Sequence, residues 1–262
     1  MGKIMNSMEM LNIKGLEKDF NGLKVLDKVD MTIKQHEIFG LVGPNGSGKT
    51  TMLNVITGFL RPTAGEIIYK GEPITGLKPH EVTQRRIVRT YQLSSLYPNL
   101  TVEQNIITGS HLKATSSLLG SFFQTRRYRK EERALKEKAE EILSFMDMVK
   151  QKDVLARNLP FGDERKLEIA IALATDPELL LMDEPAAGMN PEEQEKLIHL
   201  IQLIAGMGIT IVIVEHNMRV IMKVCTSVAV LSYGIKLAEG TPEEITRDEK
   251  VISVYLGETR LG

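Results

Sequence analysis

The chain has 262 residues, which suits one large domain or two modest ones around a shared core. Charged residues make up 26% and hydrophobic ones 42%, and 33 basic residues against 34 acidic leave a net charge of -1, a balance that argues against a general nucleic-acid binder. No apolar run approaches the roughly 20 residues of a spanning helix, and residues 1–10 lack a secretory pattern, so work at a membrane is expected to go through a partner.

Strand signals dominate the first third. Residues 10–16 and 29–33 alternate apolar and polar side chains, whereas 38–42 are almost all apolar, as in a strand buried on both faces. A Gly-rich loop follows, then a helical pattern over 51–59 and strands over 66–69 and 87–91. Between 93 and 162 the strand signal fades. Helices are expected over 102–111 and 131–149, the second with Leu135, Ala139, Ile142, Leu143 and Met146 at helical spacing and a mixed-charge stretch, 126–141, read as a solvated face. Thereafter the elements alternate: helix 164–174, strand 179–182, helix 192–205, strand 209–214, helix 218–224, strand 228–232. Such alternation implies a parallel sheet covered on both faces. The expected layout is one domain, with a core from 8–92 and 163–262 and a helical subdomain inserted at 93–162. The single cysteine, Cys225, precludes an intrachain disulfide, suggests a reducing compartment, and reads as a buried thiol from its apolar neighbours.

Gly43-Pro44-Asn45-Gly46-Ser47-Gly48-Lys49-Thr50 satisfies G-x-x-x-x-G-K-[ST], with Thr51 next in line. Glycines let the backbone curl so that successive N–H groups face phosphate oxygens, and the following helix adds its positive end. Lys49 is placed to reach the β- and γ-phosphates, and the Thr50 hydroxyl to take part of a Mg2+ shell. By residue frequencies alone, a chain of this length matches on the order of once in a hundred. Here the motif also follows a buried strand and opens a helix. The apolar run Leu179-Leu180-Leu181-Met182 ends in Asp183 and Glu184. Asp183 is placed to hold Mg2+, directly or through water, and Glu184 to orient or deprotonate an attacking water. The expected fold class is α/β: a P-loop nucleoside triphosphatase core with a mostly parallel sheet and the inserted helical subdomain, to which the resemblance given below adds N-terminal antiparallel strands.

Three further residues occupy telling places. Gln92 sits where strand 87–91 gives way to the helical segment, His216 follows strand 209–214, and Gly162 opens a helix upstream of Asp183. With the two motifs above, they resemble the ATPase subunit of ABC transporters over essentially the whole chain. The resemblance implies that Phe20 stacks on adenine. It makes Gln92 the residue that joins the metal shell and links the γ-phosphate site to the helical subdomain. His216 becomes the switch histidine facing the γ-phosphate, and residues 159–163 the signature loop. The implied cofactors are ATP and Mg2+. The implied partners are membrane-spanning permease subunits and a second ATPase subunit, with an external solute-binding protein acting only indirectly. That places the chain at the cytoplasmic face of the cell membrane, held there by its partners, and leaves no role for nucleic acid. His36, His80, His111 and His199 have no such context.

The signature departs from the usual Leu-Ser-Gly-Gly-Gln: it reads Leu159-Pro160-Phe161-Gly162-Asp163, without the serine hydroxyl and with an added negative charge. Asn190 also stands where an aspartate is commoner. Val55-Ile56-Thr57-Gly58-Phe59, Leu167-Glu168-Ile169-Ala170 and the run from Glu184 to Pro191 are similar to the branched-chain amino-acid importer ATPases. Motors for urea or amide import and for lipopolysaccharide extraction share most of these features. The alternative of another class is a soluble ABC ATPase in DNA repair, translation or cluster assembly. It is opposed by the absence of a second cassette, sustained heptads and basic excess.

Overall fold

Alternating apolar side chains build a long antiparallel pair, β1 (Glu9–Phe20) and β2 (Leu23–Lys34), whose inward residues Leu11, Ile13, Leu16, Leu26, Val29 and Ile33 are buried. The computed structural model describes residues 8–90, 96–110 and 126–258. Asn21 and Gly22 join the two strands with φ of 52° and 94°, the left-handed pair that a two-residue type I′ turn requires. The strands β4 (Ala64–Tyr69) and β5 (Glu72–Pro73) extend this sheet in the order β2-β1-β4-β5.

A second sheet has the order β10-β9-β3-β8-β7-β6. Its parallel strands are β3 (Ile38–Val42), β6 (Ile87–Arg89), β7 (Leu179–Asp183), β8 (Thr210–Val214) and β9 (Ser227–Ser232). All five residues are buried in each of β3, β7 and β8, which is why their sequences are continuous apolar runs instead of alternating ones. Leu41, Phe39, Leu181 and Val212 from this sheet share one core with Met52, Leu53, Ile67 and the inner face of β1 and β2. Full burial of each such side chain is worth about 1.5–3 kcal/mol.

Several boundaries differ from expectation for local reasons. The helix α1 (Lys49–Ile56) begins at the lysine and stops before residue 59, because Gly58 turns the chain at φ 77° against the Leu77 carbonyl. The short helix α2 (Pro79–Gln84) and the C-terminal elements β10 (Ile235–Gly240), α8 (Pro242–Arg247) and α9 (Glu249–Glu258) were not anticipated. Strand β10 is half-exposed, with no long apolar run. It is fixed by a Tyr233-Gly234 turn at φ 47° and 80° and by antiparallel pairing with β9.

The chain divides into two compact units, residues 1–89 with 178–262, and residues 90–177. The second unit holds α3 (Val102–Ser110), α4 (Arg126–Phe145) and α5 (Phe161–Ala174). It runs through Pro177 instead of ending at Gly162, because α5 packs against α3. There Gly109 lies so close to α5 that a Cβ would come within 2.6 Å of the Ile171 carbonyl oxygen, and the Ser110 hydroxyl donates to the Ala174 carbonyl. Helix α4 buries Ala139 and Leu143, half-buries Leu135 and Ile142, and exposes Glu132, Arg133, Lys136 and Glu137, the solvated face its charges imply; Met146, just past its end, is also buried. It stops at Phe145, short of 149, where Asp147 adopts φ 53°. In the first unit, α6 (Pro191–Gly206) and α7 (Met218–Val224) follow β7 and β8.

Candidate active site

The loop between β3 and α1 curls through Gly43 and Gly48, at φ 149° and 104°. Neither position tolerates a side chain. A Cβ on Gly43 would collide with the Leu231 carbonyl oxygen, and one on Gly48 would lie 2.7 Å from that of Val25. Lys49, the first helical residue, folds its ammonium back over the loop and donates to the carbonyls of Gly43 at 2.7 Å and Pro44 at 2.8 Å. The Ser47 hydroxyl is buried and has no hydrogen-bond partner among the described residues. Thr50 is exposed and Thr51 half-buried. A concave run of backbone, a lysine bent over it and an unsatisfied buried hydroxyl fit a polyphosphate.

The β9–β10 turn locks this cradle in place. The N–H of Gly234 donates to the Ser47 carbonyl at 3.1 Å, and the Asp27 N–H of β2 donates to the Gly234 carbonyl at 2.8 Å. Sequence reasoning missed the clamp; its signal was the Tyr233-Gly234 pair that follows the apolar run of β9. Phe20 sits beside Asn21-Gly22 at the β1–β2 hairpin tip, paired with Leu23 and 41% exposed, with the Lys18 ammonium 4.8 Å from its ring centroid.

Asp183 ends β7 and is buried. Its Oδ2 accepts from Arg89 of the adjacent strand β6 at 2.5 Å, while the other arm of that guanidinium donates to Asn54 Oδ1 in α1 at 2.6 Å. One buried arginine therefore ties the strand that ends in Asp183 to the helix that starts at the cradle. Sequence analysis did not single it out, although a cation inside a short apolar strand was the available clue.

After Asp183 the chain turns sharply. Glu184 adopts φ 48°, a left-handed conformation that costs a non-glycine residue about 1–2 kcal/mol. Its N–H donates to Val214 at the end of β8, and its carbonyl accepts from Ala187. Strands β7 and β8 pair Asp183 with Val214, so the residues just beyond their ends are level. As a result Glu184 Oε1 and His216 Nε2 stand 2.8 Å apart, both partly exposed. A carboxylate and an imidazole in contact at a strand end can hold a water and take its proton.

Glu215 lies under this pair and is buried. Its Oε1 accepts from the Ala186 N–H at 2.7 Å, and its Oε2 from the N–H groups of His216 at 3.1 Å and Asn217 at 3.3 Å. Burial pushes its carboxyl above the usual range, the three N–H donors pull it back, and the nearby Glu184 charge raises it further. Asn190 has a local duty. It caps α6 by accepting from Glu192 and Glu193 at 3.0 Å each, and the Glu193 carboxylate accepts the Asn190 N–H in return.

In the other unit, Leu159 is buried and Pro160 is the N-cap of α5, its carbonyl accepting from Asp163 and Glu164. Phe161 is 37% exposed, with the Arg165 guanidinium carbon 5.2 Å from its ring centroid, and Arg165 pairs with buried Glu168 at 3.0 Å. Gly162 and Asp163 lie in the first turn, where the Asp163 charge suits the helix dipole and faces Lys166 at 3.6 Å. Gln92 lies outside the described residues.

Residues 26–187 match the family described as ABC transporter. The chain belongs to the ABC transporter family. Residues 236–260 of this cassette, comprising most of β10 with α8 and α9, also match the family described as branched-chain amino acid ATP-binding cassette transporter. The high-affinity branched-chain amino acid transport ATP-binding protein BraF of Pseudomonas aeruginosa is 36% identical over 253 residues, which cover 96% of this cassette and 99% of BraF. The protein of the same description from Escherichia coli, LivG, shows the same identity and coverage. The lipopolysaccharide export system ATP-binding protein LptB of Haemophilus influenzae is 34% identical over 251 residues, covering 96% and 98%. Among solved structures, an ATP-binding cassette of an ABC transporter in its ADP conformation superposes with a TM-score of 0.85 at 33% identity, over 95% of this cassette and 99% of that chain. A dimeric cassette in a post-hydrolysis state bound to ADP and phosphate gives a TM-score of 0.75 at 25% identity, over 89% and 99%.

Proposed function

We propose that this cassette is the ATP-hydrolysing subunit of a membrane importer for branched-chain amino acids. The observation that carries the reading is the match of residues 236–260 to the branched-chain amino acid cassette description, in a chain similar to BraF and LivG almost end to end. LptB is nearly as similar overall, and the same C-terminal match favours amino-acid import over lipopolysaccharide export.

In this reading the backbone of 43–48, Lys49, Thr50 and Thr51 bind the phosphates. Thr50, Asp183 and Gln92 hold Mg2+, which when bound draws charge off the β- and γ-phosphates. Glu184 is the general base for the attacking water. His216, within hydrogen-bond reach of Glu184, orients it and faces the γ-phosphate. Phe20 offers its exposed ring to adenine. The signature loop, 159–163, serves the site of a second ATPase subunit, identical or similar. In this reading, which rests on the likeness to importer ATP-binding proteins, the pair docks at the cytoplasmic face through permease subunits, and the external solute-binding protein acts only through them; among the described residues no helix is long and apolar enough to cross a membrane. The test is reconstitution with the permease subunits and solute-binding protein of a branched-chain amino-acid importer from the same source. Leucine, isoleucine or valine with the binding protein should raise Mg-ATP hydrolysis and drive uptake; stimulation by another solute class alone refutes the substrate, and no hydrolysis refutes the motor.

A further inference from the structure

We infer that Glu215 is a positioning residue that holds Glu184 and His216 in register by accepting main-chain N–H groups from the two loops that carry them. Glu184 and His216 leave the ends of different strands, β7 and β8, and meet only through side chains 2.8 Å apart. Strand pairing ends at Asp183 and Val214, with one further bond from the Glu184 N–H to the Val214 carbonyl. Beyond that point the contact that joins the loops is the Glu215 carboxylate, with Ala186 on one oxygen and His216 and Asn217 on the other.

Three features say that the group must be a carboxylate. It faces three donors, which suits an acceptor-only side chain; a glutamine would turn an NH2 toward one set of N–H groups. It is 3% exposed and forms no ion pair among the described residues, an expensive arrangement for a charge unless its hydrogen bonds serve a purpose. Its span also matches the gap, since it reaches Ala186, two residues past the strained Glu184, while bonding its own neighbours. The nearby Glu184 charge raises its carboxyl, and its own charge in turn raises the buried Cys225 thiol.

The inference rests on the proposed ATPase role of Glu184, so the experiment separates the two. Steady-state hydrolysis and ATP and ADP affinity are measured for the full chain and for Glu215→Gln, Glu215→Asp, Glu184→Gln and the double Glu215→Gln, Glu184→Gln protein. Loss of an orienting second-layer partner is expected to lower turnover about 10–100-fold. Both single Glu215 variants should show that fall with nucleotide affinity within about twofold of the parent. Because Glu215 acts through Glu184, the double variant should be no slower than Glu184→Gln alone, a non-additivity that a merely structural residue would not produce. Faster exchange of the Ala186 and His216 amide hydrogens in Glu215→Gln, with the rest of the sheet unchanged, completes the expected result. Wild-type turnover in both Glu215 variants, additive losses in the double variant, or a parallel loss of nucleotide affinity and global protection would each overturn the inference. A parent chain without ATPase activity would instead refute the reading of Glu184.

Discussion

Arg89→Met removes a guanidinium that bridges Asp183 and Asn54 while keeping an unbranched side chain of similar reach. Arg89 and Asp183 are both more than nine-tenths buried, and the two bonds are 2.5 and 2.6 Å long. Leaving a buried carboxylate without its partner costs about 3–5 kcal/mol. In a chain of this size 1 kcal/mol moves the melting midpoint by about 2–4 °C, so the nucleotide-free variant should melt about 6–20 °C lower. Asp183 is also the proposed Mg2+ ligand, and a bound cation would then neutralise the stranded carboxylate. The deficit should therefore shrink when Mg2+ and ADP are both saturating, but persist with ADP and EDTA, because a ligand stabilises only what it binds preferentially. Scanning calorimetry under the three conditions checks this. A loss below about 1 kcal/mol, or an equal loss with and without Mg2+, would refute the placement of Asp183 as a metal-facing carboxylate held by Arg89.

Glu184→Gln should keep ATP binding, cut hydrolysis by about 10²–10⁴ and shift the chain from monomer toward dimer with ATP but not ADP, as sedimentation would report; near-parental turnover would exclude Glu184 as general base. Pro160→Ser puts a hydroxyl at the N-cap of α5, where the chain has no side-chain cap. It should stabilise the helix by about 0.5–2 kcal/mol and raise turnover if the hydroxyl also engages nucleotide, whereas a fall in both would show that the loop depends on the proline's fixed φ. Burial, with Glu215 beside it, pushes the Cys225 thiol from 9.0 up to about 12. At pH 8 roughly a thousandfold less thiolate is then present than in an open thiol, and iodoacetamide should label the denatured chain but not the native one.

The chemistry of the site was legible from the chain alone wherever it depends on neighbours in sequence. Gly43 to Thr50 read as a candidate phosphate cradle because the glycines and the helix start are contiguous, and Asp183 and Glu184 stand out as candidates at the end of an apolar run. The parallel sheet was legible for the same reason, since β3, β7 and β8 are buried on both faces and so are continuously apolar. His216 and Glu184 were named separately, but no spacing rule could bring them within 2.8 Å; that follows from the pairing of β7 with β8. Arg89 looked like an ordinary charge in a short strand and Glu215 like one just past a strand end; they joined the candidate site only when folding set them against Asp183, Asn54 and Ala186. Asn190 carried a resemblance-based expectation of departure, and the structure gave it a helix cap that an aspartate would form equally well. The clamp of Gly234 on Ser47 spans most of the chain. Sequence sets which groups are available and what local turns they favour. Burial, strand register and the hydrogen bonds left over at strand ends are properties of the assembled chain, and they decide which of those groups meet.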